Sequence, residues 1–519
     1  MADAPRAAPD PTGTQRRADA NVHRRQLADR LAAVFGADWL EVPADADSHD
    51  RARITSELIA AGTPYIWGAL LPLDVPGARR GHVELLVKVP GGYVPIIVVR
   101  HKITDPGSGA VTTPLTTLTP ARSRPDPRRR VRPQPRDQLR LAHLTRLLQA
   151  AGHYPAGPAM AGAIGLDADA VLWHDLDATT WPGGRSALAE YDSRFADRLA
   201  IAHAALSGSR PLARPSRVTE CRSCPWWPIC EVELNAERDV SLVLRGEDAV
   251  ALRGVGVTTV DELAALDPLT EPPAPLAGMT FEDAVLLSRA WLADFSLVRR
   301  LPEVRVPRAD VELDVDMESF GDSGAYLWGS WLSGVDIGLA HGYRAFATWR
   351  PLPTDDEARS FAEFWTFLTT VRVRAAARGL TFRAFCYNEL AENRWLIGSA
   401  QRFVGTPGMP TVGEVMAFIG SSSWVDMFGS VREQFLCAHG KGLKTIAPAA
   451  GFTWRDPEAG GENSMRWYRD AVGMDGGAPH AGQRERLLRY NEDDVRATFT
   501  LRRWMSSPDV LNIPYAGDL

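Results

Sequence analysis

Cysteine and lysine are scarce in this sequence. The chain of 519 residues has five cysteines, three of them in the stretch CRSCPWWPIC, so it does not have the cysteine pattern of a secreted disulfide framework and favours a reducing cytoplasm. Only four lysines occur among the 58 basic residues, so nearly all of the positive charge is carried by arginine. The formal net charge of −6 does not by itself indicate a nucleic-acid-binding protein.

Long apolar runs are also missing. No segment approaches the roughly 20 apolar residues that a membrane-spanning helix needs, and the N-terminal sequence MADAPRAAPDPTGTQRRADA has no apolar centre of a signal peptide. We therefore expect a cytoplasmic protein that does not bind membranes. An apolar content of 45% and a charged content of 24% are typical of globular proteins, and the length predicts two or three domains.

Helical and strand patterns divide the chain into four segments of an α/β protein. We expect a disordered tail over 1–19 and a domain of helices and strands over 20–235. A helical linker over 236–304 and a second α/β domain over 305–519 follow.

The segment between Arg122 and Arg140 is strongly basic. It holds eight arginines against two aspartates, and Arg128, Arg129 and Arg130 are consecutive. Such a run can follow a phosphate backbone and bind nucleic acid. It can equally be a solvated, proline-rich disordered loop.

The linker contains a second candidate for phosphate binding. In LRGEDAVALRGVGVTTVDELAALDP (244–268), two short helical patterns flank Gly254-Val255-Gly256, and the whole resembles a helix-hairpin-helix motif. In that motif the glycine turn, here Gly254 and Gly256, lets backbone amides approach a phosphate. A plain helical linker is the alternative.

The C-terminal domain begins with four carboxylates on one predicted strand. In VELDVDMES, the acids Glu312, Asp314, Asp316 and Glu318 alternate with apolar residues, so all four share one face of the strand. A row of like charges is typical of a solvent-facing edge strand, or of a strand that lies against a cation.

The elements that follow predict an RNase H-like fold, which is a mixed sheet with helices on both faces. Strands are predicted in AYLWGSWLSGV and YRAFATW, followed by a helix that opens with the capping box Thr354-Asp-Asp-Glu357 and runs to Gly379. A strand in TFRAFCYN and several helices complete this order.

A late helix supplies one more inward carboxylate. In RERLLRYNEDDVRATFTLRRW (484–504), a turn of about 100° per residue places Tyr490 and Asp494 on the apolar side with Leu487, whereas Asp493 is expected to face solvent. A buried carboxylate is costly unless it is paired or binds a metal ion. Coordination of Mg²⁺ together with Asp316 and Glu318 would account for both sets of acids.

Asp316-Met-Glu318 and Tyr490-x-x-x-Asp494 resemble the first and last motifs of the DnaQ-like (DEDD) 3′–5′ exonucleases of the tyrosine subtype. The resemblance covers roughly 308–505, including GLKTIAPAAGF. The family's middle motif is an Asn followed four residues later by Asp, and here Asn388 is followed by Glu392. Glu has the same charge as Asp and a longer reach.

The resemblance to these exonucleases implies hydrolysis of phosphodiester bonds with two Mg²⁺ or Mn²⁺ ions. Asp316, Glu318, Glu392 and Asp494 would bind the ions, and Tyr490 would position the attacking water. Asn388 and Asp426 would have supporting roles, although an N-cap of a helix also explains Asp426.

The cysteine motif Cys221-x2-Cys224-x5-Cys230 resembles part of the iron–sulfur staple of RecB-like nucleases. That family has a fourth cysteine near the N-terminus, beside a His-Arg pair. In ANVHRRQLADRL no cysteine is present, and His23 is the nearest substitute. Three interpretations follow: a [4Fe–4S] cluster with a different fourth ligand, a Cys3His zinc site, or a reduced remnant without metal.

The RecB-like resemblance extends to a nuclease site that lacks one of its acids. GHVELLVKVPGGYVPIIVVRHK (81–102) predicts a β-hairpin and QLRLAHLTRLLQAAG a helix, with Glu84 and Gln138 at positions of the family's motifs. The expected acid-x-Lys on the second strand is replaced by apolar residues and Arg100. We therefore expect a RecB-like module that has lost catalysis and kept nucleic-acid binding. His101 and Lys102 could contact phosphate, and the surface end of a strand explains them equally well.

The whole arrangement resembles the bacterial RecB-like nucleases that carry a C-terminal RNase H-like exonuclease domain. The leading hypothesis is a Mg²⁺- or Mn²⁺-dependent nuclease acting on single strands or 3′ ends, with DNA favoured over RNA. One alternative is a catalytically silent nucleic-acid-binding scaffold. Another keeps the N-terminal site active through Glu84. The sequence does not identify a protein partner.

Overall fold

The computed structural model describes residues 11–209, 211–474 and 476–519. The chain divides between Arg214 and Pro215 into an N-terminal and a C-terminal unit. This boundary differs from the predicted one, which extended the first domain to residue 235. The cysteine motif therefore belongs to the C-terminal unit.

The N-terminal unit consists of a large mixed sheet, helices and a small two-stranded sheet. Its helices and strands are, in chain order, α1 (Pro11–Phe35), β1 (Trp39–Glu41), α2 (Ser48–Ala60), β2 (Tyr65–Leu70), β3 (His82–Val89), β4 (Gly92–Val98), β5 (Thr104–Pro106), β6 (Ala110–Pro114), β7 (Arg124–Asp126), β8 (Arg129–Val131), α3 (Pro135–Ala150), β9 (Met160–Ile164), β10 (Ala170–Asp175) and α4 (Ala187–Leu206).

The predicted disordered tail is wrong where the structure describes it. Residues 1–10 lie outside the described residues, but residues 11–19 form the first turns of α1. Pro11 at the helix start suits its fixed backbone angle. Further along α1, Leu27, Ala28 and Leu31 are buried in a core with strands of the sheet, and this packing stabilises the helix.

The strand order of the large sheet is β1-β2-β3-β4-β9-β10-β6-β7. The predicted hairpin over 81–102 is confirmed, because β3 and β4 pair antiparallel with Val89 opposite Gly92. The predicted helix in QLRLAHLTRLLQAAG is α3, whose leucines form a core with the sheet. After α3 the chain returns as β9, parallel to β4.

The arginine-rich segment is ordered rather than a disordered loop. Its strand β7 pairs antiparallel with β6, and β8 pairs antiparallel with β5. Backbone pairing on both strands explains why this proline-containing segment holds a fixed conformation.

The C-terminal unit is built around a five-stranded sheet. Its helices and strands are, in chain order, α5 (Trp227–Glu237), α6 (Glu247–Gly254), α7 (Val260–Ala264), α8 (Phe281–Leu292), β11 (Leu297–Arg299), β12 (Val311–Ser319), β13 (Ala325–Gly334), β14 (Gly342–Ala347), α9 (Asp356–Ala377), β15 (Phe382–Cys386), α10 (Glu389–Arg402), α11 (Val412–Ile419), β16 (Trp424–Asp426), α12 (Met427–Gln434), β17 (Phe435–Cys437), α13 (Leu443–Ile446), α14 (Gly461–Val472) and α15 (Ala481–Met505).

The five strands have the order β14-β13-β12-β15-β16. Strand β12 pairs antiparallel with β13 and parallel with β15, so the predicted mixed sheet is confirmed. Because β12 lies at the centre of this sheet, VELDVDMES is not an edge strand. Strand β16 was not predicted, because its three residues are too few to show an alternation.

The helix after β14 is confirmed, but its capping box is not. α9 begins at Asp356, and the cap residue Asp355 makes no side-chain cap bond. Glu357 instead accepts hydrogen bonds from the backbone N–H of Ala325 (2.9 Å) and from Arg402 (2.6 Å). The carboxylate that was expected to cap the helix therefore joins α9 to β13 and α10.

The predicted linker is part of the C-terminal unit rather than a free connection. Strand β11 pairs antiparallel with β17, and helix α8 contributes Leu287 and Ala290 to the core beside them. Within the same region α6 and α7 flank the turn at Gly256, which has a φ of +90°. Two short helices that flank a glycine turn are thus present at the predicted place. Among the described residues, no helix is both long and apolar enough to cross a membrane.

Candidate metal centre

The four carboxylates of β12 divide into two pairs with different partners. Glu312 and Asp314 bind the guanidinium of Arg502, which is fully buried. Arg502 donates to the two oxygens of Asp314 at 3.1 and 2.7 Å. Arg308 donates to Glu312 at 2.7 and 2.8 Å. This first pair is therefore neutralised by arginine.

The second pair meets a third carboxylate instead. One oxygen from each of Asp316, Glu318 and Asp494 lies within 4.8 Å of the others. The helical prediction for Asp494 is confirmed, because its side chain points inward from α15 and is only 6% exposed. Among the residues that the structure describes, no arginine forms an ion pair with these three acids. We call them the carboxylate cluster.

Asp494 is held by two donors from the segment between β17 and α14. The indole N–H of Trp454 donates to Oδ1 at 2.6 Å. The ammonium of Lys444 lies 3.4 Å from Oδ2 and donates to the hydroxyl of Tyr490 at 3.0 Å. Tyr490 itself is buried one helical turn before Asp494.

The other two acids of the cluster are also oriented by neutral donors. Asn491 donates to Oδ2 of Asp316 at 2.7 Å, and the Asn491 oxygen accepts from Tyr343 at 2.7 Å. Ser464 donates to Oε2 of Glu318 at 2.9 Å. These bonds fix the carboxylates without neutralising them.

Burial and mutual repulsion raise the pKa values of the cluster. Burial, followed by the charge of Asp494, raises the pKa of Glu318 to about 8. The pKa of Asp316 is raised well above its ordinary value by burial and by Asp494, Glu318 and Glu392. Burial also raises the pKa of the Tyr490 phenol, which therefore stays protonated. Three acids that repel one another favour a bound cation.

Glu392 lies close to the carboxylate cluster but outside the group of three. It is 3% exposed in the first turn of α10, and its Oε2 atom is buried without a hydrogen-bond partner. Burial raises its pKa to about 8, and its charge raises the pKa of Asp316. An unpartnered buried carboxylate oxygen beside three other acids is the chemistry of a metal ligand.

Asn388 and Asp426 have structural partners. Oδ1 of Asp426 accepts from the backbone N–H of Phe428 and from that of Asn388, both at 2.9 Å. Asp426 therefore caps α12, as its alternative interpretation predicted, and also holds the start of α10. Asn388 has a φ of +72° and an exposed side chain.

The residues present fit a divalent metal ion. Carboxylate oxygens are the ligands that Mg²⁺ and Mn²⁺ prefer. Here three carboxylates from β12 and α15 converge, Asp316 is partly exposed, and Glu392 offers a free oxygen.

Asp493 departs from its prediction. It was expected to face solvent, but it is 2% exposed. Arg455 donates to it from both its backbone N–H (3.0 Å) and its guanidinium (2.7 Å). The helical angle alone could not show this, because the segment before α14 covers that side of α15.

Several residues of the site are not among those predicted from the sequence. At about 100° per residue, Asn491 and Arg502 lie about 40° and 60° from Leu487, on the inward side of α15. The helical period therefore predicts that both side chains face inward. Lys444 was singled out only as part of GLKTIAPAAGF, although lysine is rare in this chain. Nothing local in the sequence indicates the contacts of Trp454 and Ser464.

The N-terminal residue Glu84 is engaged by arginine. One Nη of Arg140 donates to both oxygens of Glu84 at 2.8 Å, and Nε of Arg24 lies 3.1 Å from Oε1. Glu84 is 4% exposed. Since both oxygens are bound, this geometry offers no carboxylate for a metal ion, which argues against an active N-terminal site.

The neighbouring candidates in the N-terminal unit are held by other contacts. The Gln138 side chain accepts a hydrogen bond from Trp181 at 2.8 Å. His101 Nε2 lies 2.8 Å from Oδ2 of Asp137. Lys102 has no polar side-chain partner among the described residues. Gln138 and His101 therefore have structural roles, and Lys102 stays a candidate for phosphate contact.

The three consecutive arginines differ in their surroundings. Arg129 is ion-paired with Asp169 and lies 3.6 Å from Asp126. Arg128 and Arg130 are exposed and have no carboxylate partner among the residues described. Of the three consecutive arginines, Arg128 and Arg130 are therefore the candidates for contact with a phosphate backbone.

In the part of the chain that the structure describes, the three clustered cysteines are not grouped as metal ligands. Among the described residues, no group of three close ligand atoms contains Cys221, Cys224, Cys230 or His23. The thiol of Cys221 makes hydrogen-bond contacts with its own chain at Val218 and Ser216 instead. Burial raises the pKa of Cys230, which favours the neutral thiol. The iron–sulfur and zinc interpretations are not supported.

The comparisons with known proteins concern the same end of the chain. Residues 410–506 match the RNase_H_2 family model of the RNase H superfamily. No curated protein and no solved structure matches at a significant level. The matched stretch includes Tyr490 and Asp494 as well as strand β16, and the other four strands of the sheet precede it in the chain. The C-terminal unit therefore contains an RNase H-like domain, and RNase H-like nucleases usually use divalent metal ions.

Proposed function

We propose that this protein is a divalent-metal-dependent nuclease whose active site is the carboxylate cluster of the C-terminal unit. The observation that carries the proposal is the convergence of Asp316, Glu318 and Asp494 within 4.8 Å, with Asp494 inside the stretch that matches the RNase H superfamily model. The motifs Asp316-Met-Glu318 and Tyr490-x-x-x-Asp494 favour 3′–5′ exonuclease action of the DEDD tyrosine type.

The residues around the cluster would have separate roles. Asp316, Glu318 and Asp494 would hold Mg²⁺ or Mn²⁺, and the free oxygen of Glu392 would provide a ligand for a second ion. Bound there, the two ions would activate water and stabilise the leaving 3′ oxygen. Tyr490 stays protonated and would orient the water by hydrogen bonding rather than act as a base.

Nucleic acid, with DNA favoured over RNA, is the proposed substrate. Support comes from Arg128 and Arg130, two exposed arginines for which the described residues provide no carboxylate partner. The turn at Gly254 and Gly256 is a second candidate contact, because a Cβ at either glycine would meet no atom within 4 Å. A RecB-like origin of the N-terminal unit is supported by the hairpin of β3 and β4, which carries Glu84, and by helix α3, which carries Gln138.

A catalytically silent nucleic-acid-binding scaffold is the second candidate. It is favoured by Glu84, whose two oxygens are bound by arginine, and by the position of Glu392 outside the group of three acids. In that case protonation of the acids, rather than a bound metal ion, would relieve the repulsion within the carboxylate cluster.

Digestion of end-labelled single strands in Mg²⁺ and in EDTA separates the two candidates. We expect wild-type protein to shorten a 5′-labelled strand only in Mg²⁺. The Asp316→Ala variant should lose this activity and still unfold cooperatively, which shows that it is folded. Exposed Arg305, whose ion pair is with Glu303 at the surface, gives the matched control Arg305→Ala. Cleavage by Asp316→Ala at the wild-type rate would refute the assignment.

A further inference from the structure

Lys444 places a cation beside the carboxylate cluster. It lies on the short helix α13, donates to the Tyr490 hydroxyl at 3.0 Å and lies 3.4 Å from Oδ2 of Asp494. The same ammonium is 4.7 Å from the centre of the Tyr490 ring and 5.6 Å from that of Trp454. Two aromatic faces and a carboxylate thus hold one positive charge beside the cluster.

The charge of Lys444 acts on the other acids as well. It lowers the pKa of Asp316 and of Glu318, against the larger raising effect of burial. By formal charge the three ionised carboxylates carry −3, and Lys444 reduces the sum to −2, which one divalent ion balances. A second divalent ion therefore depends on Glu392 for further negative charge.

We propose that Lys444 is a resident cation of the carboxylate cluster, which competes with divalent metal ions for Asp494 and holds the hydroxyl of Tyr490 in place. This inference rests on the proposed function, because it concerns the same site. Lys444 is then a positioning residue that sets how tightly the site binds metal, and not a ligand.

Competition follows from distance and charge. An ammonium and a divalent ion that share one carboxylate are only a few ångströms apart and repel each other strongly at the effective dielectric constant of a protein. The Lys444 side chain is 39% exposed, so solvent screens part of this repulsion and the flexible stem can move away. We therefore expect a moderate rather than a complete loss of metal affinity from this charge.

Calorimetric titration of the full-length chain with Mn²⁺ tests the proposal. Lys444→Met removes the charge and keeps the length of the side chain, and it should bind Mn²⁺ about tenfold more tightly than wild type, a change of about 1.4 kcal/mol. Lys444→Arg keeps the charge and should bind like wild type. Lys441→Met, three residues upstream and without a contact to the three acids in the described structure, is the matched control.

A purely structural role of Lys444 would give a different result, because loss of a structural contact loosens the cluster and weakens metal binding. Equal or weaker Mn²⁺ binding by Lys444→Met would overturn the inference. If wild type, Lys441→Met and Lys444→Met all bind Mn²⁺ equally well, only the inference fails. If none of them binds Mn²⁺, the proposed function fails as well, so the two failures are distinguishable. Thermal unfolding of each variant shows that the compared proteins are folded.

Discussion

Arg502 forms a bidentate ion pair with Asp314, and neither side chain is exposed to solvent. This pair joins the last long helix, α15, to the central strand β12. Two residues further along the strand, Asp316 has no arginine partner among the described residues and faces Asp494 instead. The same strand face thus changes from arginine binding to a cluster suited to metal ions.

We predict that Arg502→Met destabilises the C-terminal unit by about 3–5 kcal/mol, because it leaves the buried carboxylate of Asp314 without its arginine and removes one of the two arginines that bind Glu312. Urea unfolding followed by circular dichroism measures the change. The exposed pair of Arg305 and Glu303 provides a control, since Arg305→Met should cost less than about 1 kcal/mol. Equal costs for the two substitutions would contradict this account of the pair.

Asp493 and Asp494 are adjacent in sequence and differ in role. Asp494→Asn removes a carboxylate of the cluster, so we expect Mn²⁺ affinity to fall by more than the roughly 10–100-fold effect that is typical of outer-shell residues. Asp493→Asn breaks the pair with Arg455 and should lower stability while leaving Mn²⁺ affinity near wild type. Titration calorimetry on both variants measures this difference. Loss of affinity in both would show that the helix, rather than the ligand, was disturbed.

Glu392 makes stability depend on pH. Burial raises its pKa from the ordinary value of 4.5 to about 8. Between these values the folded protein holds a proton that the unfolded chain has released, so the free energy of unfolding falls as pH rises through this range. Glu392→Gln has no proton to lose, and its stability should fall less between about pH 5 and pH 8.

Urea unfolding of wild type and Glu392→Gln in EDTA at the two pH values gives the comparison. The wild-type protein should lose more stability than the variant on going to the higher pH. Added Mg²⁺ should reduce this loss, because metal binding favours the ionised carboxylates. Parallel pH profiles for the two proteins would mean that Glu392 is not the buried acid responsible.

Glu84 should be dispensable for cleavage. Both of its oxygens are bound by arginine, so Glu84→Gln is expected to keep the rate of Mg²⁺-dependent digestion within about twofold of wild type and to lose some stability. Digestion of end-labelled strands alongside Asp316→Ala gives the answer. Loss of cleavage in Glu84→Gln would indicate that the active site lies in the N-terminal unit.

The parts of the C-terminal domain that could be predicted have local signals. The alternation in VELDVDMES showed which residues of β12 share a face, and the helical period placed Asp494 on the inner side of α15. The partners of these acids have no such signal, because Lys444, Trp454 and Ser464 reach the cluster only through the tertiary fold. Glu357 is a second example. The local sequence predicts that it caps its own helix, whereas in the structure it binds β13 and α10.

For two other segments the sequence left alternatives open, and the tertiary structure favours one of them. The arginine-rich segment has the composition of a disordered loop, but strand pairing with β5 and β6 orders it. The cysteine spacing suggested a metal site, yet the structure contains no matching group of ligands among its described residues. Spacing along the chain does not establish that thiols converge in space.

The most direct test of the central claim is anomalous diffraction from a crystal of the full-length protein soaked in Mn²⁺. We predict a manganese peak within direct coordination distance of carboxylate oxygens from Asp316, Glu318 and Asp494. A crystal with bound Mn²⁺ elsewhere and none at these three acids, or with the acids paired to basic side chains at saturating Mn²⁺, would contradict the account.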